Sequence, residues 1–366
     1  MFWLILFALT GIICLGGIFY LLTRFHKFGF MQKIAENHKK LSWLLCLLPL
    51  IGIGCFGVIN IYAVVIIFLH LAAFWLIADL IGKIVRKAIK KERRFYIEGV
   101  LVILFTAVYL TFGWINAHDV KRTSYTVHTD KPIAGGSLRI VGIADSHLGI
   151  TLDGEKFTKE MKRIQAEEPD VVVVAGDFVD DESCREDMVA ACKALGELKT
   201  TYGVYFTVGN HDKGYYESGH RDFTIDDLYS ELEKNNVTLL EDDVVEVNDT
   251  FRIVGRLDKH YKEREDIKTL TKDLDDSKFE LILDHQPNDY DNEAAAGADL
   301  VFSGHTHGGH IWPSGYIGLL IGANDAVYGA KTIDNTEFIV TSGISGWAIP
   351  FKTGCISEYV VMDVTN

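Results

Sequence analysis

Three stretches within the first 115 residues are too apolar and too long for a small water-soluble domain. Residues 2–23 carry no charge and are long enough to cross a bilayer, for which a helix needs about 20 apolar residues. They lack a basic leader and a small-residue cleavage site, so they read as a retained span and not as a removable signal peptide. Residues 41–82 are interrupted only by Pro49, Asn60, His70 and Asp79. That run is too long for one crossing and divides near 57–60. Residues 95–115 form a further span with Glu98 near its end. The expectation is a transmembrane region over residues 1–120, with four helices at about 2–23, 41–58, 61–82 and 95–115.

Charge gives this region an orientation. Residues 1–120 hold 12 of the 36 Lys and Arg residues and 5 of the 50 Asp and Glu residues, leaving 24 basic and 45 acidic residues for the remainder. All twelve basic residues lie in 24–40 and 83–94. Positive-inside reasoning puts those segments in the cytoplasm and everything after Asn116 on the extracytoplasmic side of the cell membrane. The acidic remainder argues against a nucleic-acid partner, which selects basic surfaces. It tolerates an anionic substrate only if bound cations reverse the local sign. Asp79 and His70 are the polar groups that a transporter reading of the helices would need; Asp79 lies near a span end, which favours an interfacial place.

Gly52, Gly54 and Gly57 match a dinucleotide-binding spacing, but they follow no strand and lie inside a span, where small residues serve helix packing. Cys14, Cys46 and Cys55 are likewise in the membrane region. Cys184 and Cys192 are eight apart on one expected helix, out of disulfide reach, so neither a disulfide framework nor a cysteine zinc site is indicated.

After a polar linker at 121–137, strand and helix patterns alternate. Strands are expected at 138–144, 171–175, 204–208, 237–240, 279–283 and 300–303, with helices at 155–168, 185–199, 224–235 and 289–296. A hairpin is expected at 244–254. Such alternation favours layered α/β architecture. Short strands near 326–332, 337–342 and 358–362 suggest a second sheet packed on the first.

Metal-type ligands follow the strand ends repeatedly: Asp145-Ser-His147, Gly176-Asp177-Phe-Val-Asp180, Gly209-Asn210-His211-Asp212, Asp284-His285 and Gly304-His305-Thr-His307. One Asp after a strand is ordinarily a helix cap, and one His is ordinarily a satisfied structural residue. Five such clusters would converge, because ligands of open α/β sheets bind at the carboxyl ends of strands, and neutral imidazole is the commonest metal ligand.

In order and spacing these residues resemble the calcineurin-like metallophosphoesterase superfamily, and within it the membrane-anchored bacterial branch. The resemblance covers about residues 138–310 and implies a two-sheet αββα sandwich over 138–366, preceded by the transmembrane region. It implies two divalent metal ions. Asp145, His147, Asp177 and His307 would hold one, and Asp177, Asn210, His285 and His305 the other, with Asp177 bridging. His211 matches the catalytic histidine, Asp180 the carboxylate that orients it, and Asp212 a supporting group. Oxygen and nitrogen ligands without thiolate suit Mn, Fe or Zn.

The implied activity is hydrolysis of a phosphate ester, a phosphodiester or pyrophosphate, by a metal-bridging hydroxide. A lipid-linked or membrane-surface substrate would suit the anchor. The branch usually ends this motif in Gln where the chain has His310, a candidate phosphate contact, and usually has Arg where the chain has Lys352. Trp312, Trp347 and Phe351 are candidates for an apolar rim. A catalytically silent metal-binding sensor on the membrane is the alternative.

Overall fold

The computed structural model describes residues 2–89, 96–215 and 221–366, with side chains except at positions 2–11, 13, 14, 86 and 89. It divides into two compact units, Met1–Gly113 and Trp114–Asn366. Among the described residues, three helices are long and apolar enough to cross a membrane: Lys39–Val58 and Ile61–Val85 in the first unit, and Ile97–His118, which begins there and ends in the second. Leu15–Phe25 is a shorter apolar helix, part of a helix that runs over Phe2–Phe25. Four spans were expected; the side chains of most of the first lie outside the described residues, as do positions 90–94 of the second basic segment. Asp79 is neutralised by Arg24 at 3.0 Å and accepts from the Tyr20 hydroxyl at 2.9 Å. His70 bonds the Ile66 carbonyl at 2.8 Å. Both polar groups are thus engaged within their own helical unit.

The second unit is a two-sheet sandwich. Its strands are β1 (Lys121–His128), β2 (Ser137–Ile143), β3 (Val171–Ala175), β4 (Val204–Thr207), β5 (Val237–Leu240), β6 (Asp243–Glu246), β7 (Phe251–Gly255), β8 (Phe279–Leu283), β9 (Leu300–Ser303), β10 (Gly329–Ile333), β11 (Thr336–Val340) and β12 (Glu358–Thr365). One sheet has the order β1-β12-β2-β3-β4-β5 and the other β10-β11-β9-β8-β7-β6. Strands β2 to β5 are parallel, as are β7, β8, β9 and β11, so their carboxyl ends share one edge of each sheet.

Period-two burial makes the layers. In β3, Val171, Val173 and Ala175 enter the core between the sheets with Leu281, Leu283 and Phe302. Val172 and Val174 face the helix layer instead. Strands buried on both faces read as continuous apolar runs, and β3 is one. The helix Gly154–Gln165 starts where Asp153 caps the Lys156 amide at 2.8 Å, and it buries Phe157, Met161 and Ile164 on one stripe. Each such side chain contributes about 1.5–3 kcal/mol of burial.

Two expectations about the strands need correction. The linker at 121–137 is not a linker throughout: residues 121–128 are β1, an edge strand paired in parallel with β12. Its burial alternates weakly because one face stays wet, so its pattern is mostly polar. The late strands also do not form a sheet of their own. Strands β10 and β11 extend the sheet begun by β6 to β9, whereas β12 inserts between β1 and β2, parallel to the first and antiparallel to the second. The residues of β12 explain this: Val360, Met362 and Val364 fill the core between the sheets while Tyr359 and Val361 serve the helix side.

Candidate metal centre

Every ligand-type cluster lies in a loop just after a strand. Asp145 and His147 follow β2, Asp177 and Asp180 follow β3, and Asn210, His211 and Asp212 follow β4. His285 follows β8, and His305 and His307 follow β9. The loops are forced close together. Gly176 takes φ +78° at the turn, and a Cβ on Gly209 would stand 2.2 Å from Asp177 Oδ1, so only glycine fits there. Among the described residues, eleven that are not glycine have positive φ, and six of them are Asp145, His147, Asp177, His305, His307 and His310. Backbone strain of this kind, about 1–3 kcal/mol per residue, gathers where surrounding structure enforces a functional geometry.

Two groups of three result. Asp145, His147 and His307 offer ligand atoms within 4.8 Å of one another, and so do Asp177, His285 and His305. Asp177 stands between them: its Oδ2 is 3.0 Å from His285 Nε2 and 3.7 Å from His147 Nε2. The other oxygen, Oδ1, accepts the His211 amide at 2.8 Å. Asn210 joins the second group, with its Oδ1 2.9 Å from His305 Nδ1. The amide of Asn210 donates to the Tyr215 hydroxyl at 2.6 Å, which turns the oxygen inward.

The hydrogen bonds around the imidazoles fit a pair of cations. His285 Nδ1 is 2.7 Å from the Ala175 carbonyl. A carbonyl only accepts, so Nδ1 carries a proton and Nε2 faces the Asp177 carboxylate. Burial opposes a second ring proton, but the Asp177 and Asp145 carboxylates hold this imidazole well above its ordinary pKa. Positive charge is therefore wanted at Nε2, and a bound cation there would replace the proton. His147 Nδ1 likewise donates to Asp180 Oδ2 at 3.2 Å, and its Nε2 then faces His307 Nε2 at 3.2 Å. Ring nitrogens turned toward one another and toward a carboxylate are what a cation held between them would require, and fixing the remote nitrogen, as at His285 and His147, is how ligating histidines are oriented.

The electrostatics point the same way. Burial pushes the Asp145 carboxyl up to about 6. Burial would raise Asp177 too, but the positive charge of His285 and His147 holds it well below the usual carboxylate range. Both imidazoles are themselves held above their ordinary values, against burial, by the carboxylates around them, and bound cations would take over that charge. Burial lowers His305 to about 4 and His307 well below its ordinary value, so both rings are neutral at pH 7.

The structure brings all seven expected ligand residues to one place, and it moves three other assignments. Asp180 was expected to orient His211, but its hydrogen bond goes to His147. Lys352 was expected at a substrate. It is fully buried, and its ammonium donates to the carbonyls of Ser342, Gly343 and Ile356 at 2.6, 3.1 and 3.2 Å. With three donors used on backbone it staples its loop and has none left for a phosphate. His310, also expected as a phosphate contact, is buried and bonds the Ile349 carbonyl through Nε2 at 3.1 Å.

His211 lies at the mouth, its ring 4.8 Å from Tyr215 and 5.4 Å from Trp347. Trp347 and Trp312 are exposed, whereas Phe351 is buried against Trp114 and takes no part in a rim. Asp212 supports the site as expected: its carboxylate accepts the amides of Asp177, Phe178, Val179 and Gly209 at 2.7 to 3.0 Å. Sequence reading missed Tyr215, because a tyrosine six residues beyond the strand-end glycine carries no spacing signal.

His310 gives a pH signature. Burial, with the Lys352 ammonium nearby, pushes its imidazole down to about 3, against about 6.5 in an unfolded chain. Below pH 6.5 the unfolded state takes a proton that the folded state refuses, so stability is lost as pH falls toward 3. Between pH 7 and 5 the wild type should lose about 2 kcal/mol more than His310→Gln, which keeps a donor for Ile349. Urea unfolding of both proteins at the two pH values measures this, and equal losses would contradict it.

Residues 138–309 match the family of calcineurin-like phosphoesterases. An uncharacterized metallophosphoesterase of Aquifex aeolicus is 29% identical over 269 residues, covering 71% of this chain and 98% of its own. One of Campylobacter jejuni is 27% identical over 270 residues, covering 72% and 69%. A transmembrane protein with metallophosphoesterase domain from Danio rerio is 26% identical over 326 residues, covering 85% and 72%. With that domain match and the paired metal-binding groups, residues 138–309 carry a calcineurin-like phosphoesterase domain, a metal-dependent phosphoric ester hydrolase, in a chain that has, among its described residues, helices long and apolar enough to cross a membrane.

Proposed function

We propose that this enzyme hydrolyses a phosphodiester or pyrophosphate of a lipid-linked or membrane-surface substrate, with its catalytic unit on the extracytoplasmic side. The observation that carries the reading is the Asp177 carboxylate set between two buried ligand groups, 3.0 Å from His285 Nε2 and 3.7 Å from His147 Nε2. Asp145, His147, Asp177 and His307 would hold one ion, and Asp177, Asn210, His285 and His305 the other. Two divalent ions held there would supply Lewis-acid polarisation of the phosphoryl group and would acidify a bound water.

The chain's own groups do the rest. His211 is half-buried beside the exposed Trp347 and Tyr215, and burial lowers its pKa, so it is neutral near pH 7. A neutral ring still carries one N–H, which His211 presents to the leaving oxygen of a bound ester. Asp180 positions His147, and Asp212 locks the two loops that bear Asp177 and His211. Asn210 would bind an ion through a neutral oxygen and so would leave more net positive charge for an anionic substrate than a carboxylate would.

Hydrolysis of bis(p-nitrophenyl) phosphate by the full chain with added manganese tests the chemistry. Asp177→Asn and His211→Ala should each lower turnover by about 100-fold or more with the far-UV spectrum unchanged. Full activity in both would remove these assignments, and inactivity of the metal-loaded wild type would favour a silent sensor. Sidedness is tested separately. Protease added to intact cells should digest the unit Trp114–Asn366, and protection of it would reverse the orientation.

A further inference from the structure

The apolar surface of the catalytic unit is concentrated in one place. Among the described residues after 120, nine large hydrophobic side chains are exposed, and six of them lie within 312–321. Tyr316 is 70% exposed, Leu320 86% and Ile321 72%. Residues 311–324 carry no charge, in a domain that is otherwise strongly acidic. An uncharged surface of Trp, Tyr, Ile and Leu on a short helix, Ser314–Leu320, is costly to leave in water and marks a contact surface.

Its position in the chain says what the contact is. Trp312 donates its amide to Thr353 Oγ1 at 3.1 Å, and the amides of Thr353 and Gly354 return to the His310 carbonyl at 2.9 Å. The same loop is tied to the last turn of the helix Ile97–His118. Asn116 Nδ2 donates to the Lys352 carbonyl at 3.2 Å, and the Ser357 amide donates to the Asn116 carbonyl at 2.8 Å. Residues 116 and 117 end an apolar helix of spanning length, so they stand at a bilayer boundary, and the loop bonded to them stands there too. On the other side the helix Ser314–Leu320 is joined to the ligand loop, since a Cβ on Gly315 would come within 2.9 Å of Gly309 Cα.

We propose that residues 312–321 insert into the headgroup boundary of the lipid bilayer and hold the mouth of the metal centre against it. This deepens, and in its substrate aspect rests on, the membrane-surface reading above. Trp312 and Tyr316 are the residue types that settle at the headgroup level, and the aliphatic side chains enter the acyl boundary. The acidity of the domain excludes attraction to anionic lipids as the driving force. The contact is therefore apolar, forms on zwitterionic lipid and resists salt.

The test uses the full chain in phosphatidylcholine nanodiscs with a benzophenone amino acid at Tyr316, Leu320 or, as a control, the exposed Lys193. Irradiation should give phosphatidylcholine adducts at 316 and 320, in low and high salt, and none at 193. Absence of lipid adducts at both positions, or adducts joining two chains, would overturn the proposal. Leu320→Asp should keep turnover of bis(p-nitrophenyl) phosphate within about twofold, yet hydrolyse the p-nitrophenyl ester of phosphatidic acid in the same nanodiscs about 10-fold more slowly. Equal rates on the lipid ester would remove the link to the site. If the wild type hydrolyses neither ester, the substrate reading fails while the adducts still decide the docking.

Discussion

Asp145 and Asp177 are carboxylates buried in the same small volume as five imidazoles, and the catalytic unit is arranged around that fact. An ion taken out of water costs several kcal/mol even after relaxation, unless partners replace its hydration. Part of the replacement is backbone: the amides of His305 and His211 point at Asp145 and Asp177. The remainder cannot come from the histidines as neutral rings. The Nδ1 proton of His285 is committed to Ala175 and that of His147 to Asp180, which leaves each Nε2 facing the carboxylates, where the site draws positive charge, as a second ring proton or as a cation in its place. Cations complete the balance, and they make the same pocket attractive to a phosphate in a domain with excess negative charge.

Such a site needs a rigid frame, and the two sheets provide it. Parallel strands buried on both faces end at one edge, so short loops from β2, β3, β4, β8 and β9 meet without long excursions. Gly209 lets backbone approach the Asp177 carboxylate more closely than any side chain would permit. The four amides held by Asp212 then lock the loops after β3 and β4 to each other. Positive φ at six neighbouring non-glycine positions is the local cost, sustained by burial around them.

Much of this was legible in the sequence, for a physical reason. Parallel strands buried on both faces announce themselves as apolar runs, and the residues after them were of ligand type five times in succession. Where the signal failed, tertiary context had replaced local pattern. Strand β1 looked like a linker because an edge strand has only one dry face, and β12 joined the first sheet because its two apolar faces matched a gap no spacing rule reveals. Lys352 and Asp180 were of the right residue type, but which partner they chose depends on loop geometry. His310 has the chemistry of a ligand and the surroundings of a core residue. Tyr215 left no trace in sequence although it turns Asn210 toward the site.

Within the catalytic unit, the loop bonded to Asn116 is also bonded to the backbone of His310. The proposed chemistry requires Asp177 to serve two ions at once. The most direct measurement is electron paramagnetic resonance of the full chain loaded with manganese(II). A carboxylate shared between two ions predicts an exchange-coupled manganese pair in the wild type and loss of the coupling in Asp177→Asn. Signals from one ion per chain, or from two uncoupled ions in the wild type, would contradict it.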